Sequence, residues 1–407
     1  DPDTGRISYV DNNSLSNDLT LSVDQNIPFL GGTLSLQSSL SRLDQFNYDS
    51  QTYNTVPLIL NYTQPIRAYN ALKWRKKTAP LQYENAQRAY LETMQDITIN
   101  VTNLFFTVLS AQENYRQSVA DYEDRKHLFE IAKKRLDLGT TTKSEVLQME
   151  LSLLNAKMSV NSTSLTLRTQ LFSLFSYLRI VDYEDVELLP PYYMPDIEMN
   201  AEQVLDKAWT GSSHSIEQQL NLLESQRALA EAKANRGLQV EFRGRLGLSQ
   251  SANELPAAYR RLKDYETVGL TMTIPIYDWG MGRGKVRMAK TDVEITKTQI
   301  EQANIEFAHD VRTKVLQFNN QAEQCKTSLR AQDIAAERYD IMKKRFENGS
   351  VTVTELNTAQ EEFESAQHQY ISQLQQFWTD YYGIQKLTLY DFIRKENIGV
   401  NFNDLVN

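Results

Sequence analysis

The chain has 407 residues, a formal net charge of −9 and 23% charged residues. This acidic balance leaves no basic surface of the kind that binds nucleic acid, so no nucleic-acid partner is expected. No run of about 18 apolar residues occurs, which excludes a protein built from transmembrane helices. A single cysteine, Cys325, excludes an intrachain disulfide.

The first predicted elements are strands, because apolar and polar residues alternate with a period of two. The alternating apolar positions are Leu19, Leu21, Val23, Leu34, Leu36 and Leu40. Gly31-Gly32 is a predicted turn within an extra strand-like pair, and a polar loop is expected at about 45–53. A third strand is predicted at 57–63, ending before Pro65 because proline cannot donate to a ladder.

Beyond Ile66 the apolar spacing changes to that of a helix. Pro80 is the only breaker between Ile66 and Leu138, and a kink or restart is expected there. Apolar residues then recur at steps of three and four, which is the pattern of a coiled-coil seam. The seam residues are Ile97, Val101, Leu104, Val108, Ala111, Tyr115, Val119 and Tyr122. A second helix is predicted at 142–179.

The rest of the chain largely repeats this order. The segment 180–200 is rich in proline. The later predicted elements are helices at about 201–209, 214–235, 285–347 and 352–386, strands beginning at Val240 and Val268, and an irregular tail at 390–407. The second coiled-coil seam matches the first at an offset of 210 residues and consists of Phe307, Val311, Val315, Phe318, Ala322, Cys325 and Leu329.

One helix-turn-helix tip occurs twice, at Gly139 and at Gly349. Each copy follows a Lys-Lys-Arg run, which suits the negative end of a helix dipole. The glycine can adopt the left-handed conformation that closes a helix. A T-x-x-E capping box then starts the next helix. The two boxes pair Thr142 with Glu145 and Thr352 with Glu355.

The chain is therefore predicted to be two copies of one unit. The unit reads strand, strand, long helix, tip, half helix, waist and half helix. The second copy lacks its final half helix, and the missing piece is expected upstream of Asp1.

These features resemble the TolC family of outer-membrane efflux ducts over about residues 17–389. The resemblance lies in the order of the duplicated unit and in the segments Gln64-Pro65-Ile66, Ile274-Pro275-Ile276, Trp279-Gly280-Met281-Gly282 and the Arg-x-x-x-Gly tips. It implies an α+β fold in which long antiparallel coiled-coil hairpins adjoin membrane β-barrel strands. It also implies a homotrimer, an α-barrel/β-barrel duct in the bacterial outer membrane that extends into the periplasm and contacts outer-membrane lipid.

The resemblance also implies domains, sites and partners. The implied domains are barrel strands at 17–65 and 238–276, a periplasmic helical barrel at 66–179, 214–235 and 285–386, and an equatorial domain at 180–213 and 387–407. The implied pore acids are Glu145 and Glu355. The implied contacts for a periplasmic adaptor, which would join the channel to an inner-membrane pump, are Leu138, Gly139, Thr140, Asn348, Gly349 and Ser350. Thr358 and Val351 replace a second acid and a basic gating residue of the family.

Alternative interpretations remain for several of these features. One alternative is a dinucleotide-binding loop, because the glycines of Gly280-Met281-Gly282-Arg283-Gly284 have a similar spacing. Against it, the preceding strand alternates polar and apolar residues, whereas a buried parallel strand is continuously apolar. Glu145 and Glu355 could serve only as capping residues. The long helices would also suit a soluble coiled-coil scaffold or adaptor. No catalytic residue, metal ligand set or cofactor is predicted, and the function expected is an exit duct for efflux or type I secretion.

Overall fold

The computed structural model describes residues 13–181, 186–191, 194–347, 350–351 and 353–402. The chain forms two compact units. We call Asp1–Asn85 with Ile216–Ala303 the strand unit, and Ala86–Ser215 with Asn304–Asn407 the helix unit.

The strand unit contains one antiparallel sheet of five strands in the order β1-β2-β3-β4-β5. The strands are β1 (Ser14–Ile27), β2 (Gly32–Gln45), β3 (Ser50–Arg67), β4 (Gln239–Ala252) and β5 (Lys263–Thr273). β1 and β2 form a hairpin, and Gly31 at φ +78° closes its turn. The strands predicted from alternation are therefore confirmed, including the extra hairpin at Gly31-Gly32.

Three predicted strand boundaries are wrong. The loop expected at 45–53 is only a short 3-10 turn, Phe46–Tyr48, followed by Asp49 with φ +44°. β3 also continues past Pro65, because a register shift between Pro65 and Arg67 accommodates the missing donor. β5 begins at Lys263 instead of Val268, after a short helix that follows β4.

Seven helices lie in the described part of the chain: α1 (Ala71–Asp137), α2 (Lys143–Leu178), α3 (Ala201–Gly211), α4 (His214–Asn235), α5 (Leu255–Ala258), α6 (Met281–Glu347) and α7 (Val353–Thr388). Both ends of α1 and of α2 recur 210 residues later in α6 and α7. The internal repeat predicted from the sequence is thus confirmed at the level of helix boundaries. None of the helices described here is both long and apolar enough to span a membrane.

Two helix predictions need correction. The restart expected at Pro80 is wrong, because α1 runs through that residue without interruption. Proline removes one backbone hydrogen bond, and a helix of 67 residues retains the others. The second long helix begins at Met281, not Lys285, because the Asp278 carboxylate accepts hydrogen bonds from the amides of Gly280 at 3.0 Å and Gly282 at 2.7 Å.

The core of the helix unit forms where α3 packs on α6 and α7. Its fully buried side chains are Val204, Ala208, Val311, Val315, Phe318, Phe377, Tyr381 and Ile384. Gly211 lies so close to the backbone of α7 that an added Cβ would sit 2.0 Å from the Thr388 carbonyl oxygen. A side chain at that position would separate α3 from α7.

The second predicted seam is confirmed from Val311 to Cys325, and burial raises the pKa of the Cys325 thiol to about 11. In the first seam Val108 and Ala111 are buried, whereas Ile97 and Val119 are exposed. The tail predicted to be irregular contains a small ladder of β6 (Tyr390–Asp391) and β7 (Glu396–Asn397). Asp391 fixes this ladder to the core by accepting a 2.7 Å hydrogen bond from the Tyr381 hydroxyl.

Candidate functional site

The first tip connects α1 to α2 through a hydrogen-bonded turn. The Gly139 amide donates to the Leu136 carbonyl and the Thr140 amide donates to the Arg135 carbonyl, both at 2.9 Å. Gly139 has φ +73°. This pattern is a Schellman motif with glycine at C′, as the sequence predicted. The turn therefore ends α1 without leaving its last carbonyl groups unsatisfied.

Glu145 completes a capping box at the start of α2. The Thr142 amide donates to the Glu145 carboxylate at 3.2 Å, and the Glu145 amide donates to the Thr142 hydroxyl at 3.3 Å. The Thr141 hydroxyl also donates to this carboxylate. The hydrogen bonds from Thr141 and then Thr142 lower the pKa of Glu145. The carboxylate is consequently held ionised at an exposed position of the tip.

The tip presents its side chains to solvent. Leu138 is 77% exposed, and both Gly139 and Thr140 are exposed. No heavy atom lies within 4 Å of the position that a Cβ on Gly139 would take. These residues of the first tip are therefore accessible from solvent.

The second tip is only partly within the described residues. Asn348, Gly349 and Thr352 lie outside them, so neither the second glycine turn nor the second capping box is observed. The Ser350 amide donates to the Arg345 carbonyl at 2.9 Å, which matches the bond from Thr140 to Arg135 in the first tip. Glu355 lies exposed in the first turn of α7.

A group of polar contacts, which we call the polar link, joins α1 to α6 and α7 near the tips. Lys343 on α6 donates to the two carboxylate oxygens of Asp124 at 2.9 and 3.0 Å. The Tyr339 hydroxyl donates to Asp124 at 3.4 Å, and Gln360 on α7 donates to Asp121 at 3.0 Å. Burial raises the pKa of Tyr339, so the phenol stays protonated. The two hairpins are therefore held together near their tips.

The polar link could not be predicted from the sequence. Asp124 and Lys343 are far apart in the chain, and the position 210 residues after Asp124 is Ile334. The repeat therefore gives no signal for this ion pair, which depends on the packing of the hairpins.

The sheet of the strand unit has one apolar and one polar face. In register across β1 to β4, the apolar face carries Val23, Leu36, Leu60 and Leu246, and the row ends on β5 at Glu266. The adjacent row on the other face, across all five strands, consists of Asp24, Ser35, Asn61, Arg245 and Thr267. A cavity of about 600 Å³ lies on the polar face, with Gln37, Asn61, Arg243 and Tyr265 in its wall. The sheet is thus concave on its polar side, while its leucines on the other side are exposed.

This two-faced antiparallel sheet, combined with duplicated long helical hairpins, defines an outer-membrane channel. The chain belongs to the outer membrane efflux protein family, whose model matches residues 14–178 and 212–388. The resemblance predicted from the sequence is therefore confirmed. The family consists of channels and is not an enzyme class.

Solved structures of outer-membrane channels have the same fold. CmeC of Campylobacter jejuni matches with a TM-score of 0.66 and 13% identity, covering 97% of this chain and 80% of CmeC. The open state of MtrE of Neisseria gonorrhoeae matches with a TM-score of 0.65 and 13% identity, covering 96% of this chain and 82% of MtrE. VceC of Vibrio cholerae matches with a TM-score of 0.60 and 12% identity, covering 93% of this chain and 86% of VceC. A comparison with curated protein sequences finds no match.

Proposed function

We propose that this outer-membrane efflux channel works as a homotrimer and is the exit duct of a tripartite efflux or type I secretion system. The observation that carries the proposal is the two-faced sheet. Its apolar face suits lipid and its polar face suits a water-filled lumen. Neither β1 nor β5 has a hydrogen-bonded neighbour on its outer side among the described residues. Such edges must be paired in a membrane, and copies related by a rotation axis can pair them.

The proposed domains follow from the same argument. The strands within 17–65 and 238–276 would lie in the outer membrane. The helices within 66–179, 214–235 and 285–386 would form a periplasmic barrel, and 180–213 with 387–407 an equatorial domain. The amphipathic sheet and the long helices outside it support this division.

The tips are the proposed contact with a periplasmic adaptor, which would connect the duct to an inner-membrane pump. The supporting observation is the exposed Leu138 beside the open Gly139 and Thr140. Asn348, Gly349 and Ser350 would contribute in the same way from the second tip. Glu145 and Glu355 would line the narrow end of the pore.

Purification and reconstitution test this function. The protein should require detergent for extraction, have the mass of a trimer in detergent and conduct ions in a planar lipid bilayer. A photocrosslinker at Leu138 should capture an adaptor in native membranes, whereas one at the buried Phe318 should not. A protein that stays soluble and monomeric without detergent would instead be the coiled-coil scaffold, and the channel proposal would be wrong.

A further inference from the structure

Both arginines of β4 lie on the polar face of the sheet. Arg243 and Arg245 are two residues apart, and strand side chains alternate, so they extend to the same side. On β5 their direct partners are Gly269 and Thr267, and on β3 they are Thr63 and Asn61. None of these partners carries a charge.

The two arginines differ in their pairing. Arg243 forms an ion pair with Glu241 on its own strand. Arg245 interacts with the Tyr265 hydroxyl, and no carboxylate in the described ranges lies within ion-pair distance of it. The β4 part of the polar face therefore carries one positive charge that is not compensated locally.

Within one copy of the chain, the nearest acids on other strands of this face lie on β1, too far away to neutralise Arg245. Asp24 lies in the same cross-strand row, and Asp18 lies farther along β1. Three strand spacings separate β1 from β4, which is roughly 14 Å, and the Debye length at physiological salt is about 8 Å. Lys263, at the start of β5, adds a further positive charge to this half of the polar face.

The polar face also leaves room for a solute beside the arginines. No heavy atom lies within 4 Å of a Cβ placed on Gly269, directly opposite Arg243. The cavity of about 600 Å³ is lined by both arginines together with Asn61, Gln37 and Tyr265. Amide and hydroxyl groups beside a guanidinium provide additional hydrogen bonds for carboxylate or phosphate oxygens.

We propose that Arg245, assisted by Arg243, determines the specificity of the pore for anionic solutes that carry carboxylate or phosphate groups. The inference rests on the proposed channel function. Copies of this sheet around one lumen would repeat Arg245 in a band that also contains Asp24 on β1, and basic side chains in a pore favour anions where no acid lies beside them. A band inside a low-dielectric wall also raises the local concentration of the favoured ion.

Single-channel recordings test the proposal, with KCl gradients for ion selectivity and inorganic tripolyphosphate as the anionic probe. Arg245→Gln should reduce the ratio of chloride to potassium permeability by about threefold and weaken block by tripolyphosphate. Arg245→Lys keeps the charge and should retain the wild-type ratio. If the glutamine variant does not insert, Arg245→Thr, which copies the neighbouring Thr267, replaces it.

Arg42→Gln is the matched control. Arg42 belongs to the same sheet but alternates onto the apolar face, where it pairs with Asp44 at 3.0 Å and contacts Tyr53. Its removal should leave selectivity unchanged. An unchanged ratio in Arg245→Gln, or an equal loss in Arg42→Gln, would overturn the inference while the channel itself still conducts. A wild-type protein that does not conduct would instead reject the proposed function.

Discussion

At the scale of single residues, Glu145 has an observed capping role and a proposed role in the pore. Its carboxylate accepts hydrogen bonds from Thr141 and Thr142, and these bonds place its pKa below the ordinary 4.5 of glutamate. The carboxylate is also exposed, so it remains available to ions. Capping fixes the position of the charge, and exposure leaves the charge accessible to solvent.

The lowered pKa of Glu145 predicts a pH dependence of stability. When the folded-state pKa lies below the unfolded value, the ionised carboxylate stabilises the folded state. This stabilisation is complete above the unfolded pKa and is lost as the pH falls through the folded pKa. Glu145→Gln can still form the capping box but does not titrate. The melting temperature of the wild type should therefore approach that of Glu145→Gln as the pH is lowered from neutral through the folded-state pKa of Glu145. Parallel curves at every pH would contradict the assignment.

Gly139 predicts a cost that comes from backbone conformation alone. At φ +73° an alanine is strained, although no atom obstructs its Cβ. Gly139→Ala should lower the free energy of unfolding by about 1 kcal/mol. Gly237 is also unobstructed and has no positive φ. Gly237→Ala should therefore raise the free energy of unfolding by about 0.4–1 kcal/mol. Chemical denaturation of both variants would show whether the two changes in the free energy of unfolding have opposite signs.

Local features of the tip could be predicted from the sequence, whereas contacts between the hairpins could not. The Schellman turn at Gly139 and the capping box at Glu145 involve residues within one or two helical turns, so residue type and spacing suffice. The ion pair of Asp124 with Lys343 depends on the packing of α1 against α6. No local pattern encodes that contact.

At the scale of elements, the period of the apolar residues predicted the helices and strands better than the positions of single prolines did. Alternation located every strand of the sheet, but Pro65 and Pro80 did not end the elements in which they lie. A register shift accommodates Pro65. The many remaining backbone hydrogen bonds of α1 compensate for the single one lost at Pro80. The repeat of 210 residues predicted the second long helix, while its start at Met281 depended on the Asp278 cap.

The two faces of the sheet predict unequal costs for the same substitution at adjacent positions of β5. Val268 alternates with the exposed apolar side chains, and Thr267 lies opposite Arg245 on the polar face. Val268→Arg should cost about 2–4 kcal/mol if it faces the middle of the bilayer. Thr267→Arg should cost much less, because its side chain would face water. Unfolding titrations in lipid vesicles would measure both, and equal costs would contradict the assignment of the faces.

At the scale of the whole molecule, the duplication gives each copy two tips of one design. In the sequence both carry a glutamate three residues after a threonine, and in the described part of the second tip the Ser350-to-Arg345 bond repeats the first. A trimer would therefore bring six carboxylates to the narrow end of the proposed pore. A ring of acids favours cations and attracts multivalent cationic blockers.

The last prediction separates this aperture role of Glu145 and Glu355 from capping alone. Glutamine at N3 can still donate and accept within a capping box, so Glu145→Gln with Glu355→Gln should preserve the fold and the trimer at neutral pH. The double variant should nevertheless have a lower ratio of potassium to chloride permeability and bind multivalent cations more weakly in single-channel recordings. This shift is opposite in sign to that expected for Arg245→Gln, so the two variants serve as controls for each other. A folded double variant with unchanged selectivity would mean that both glutamates only cap helices.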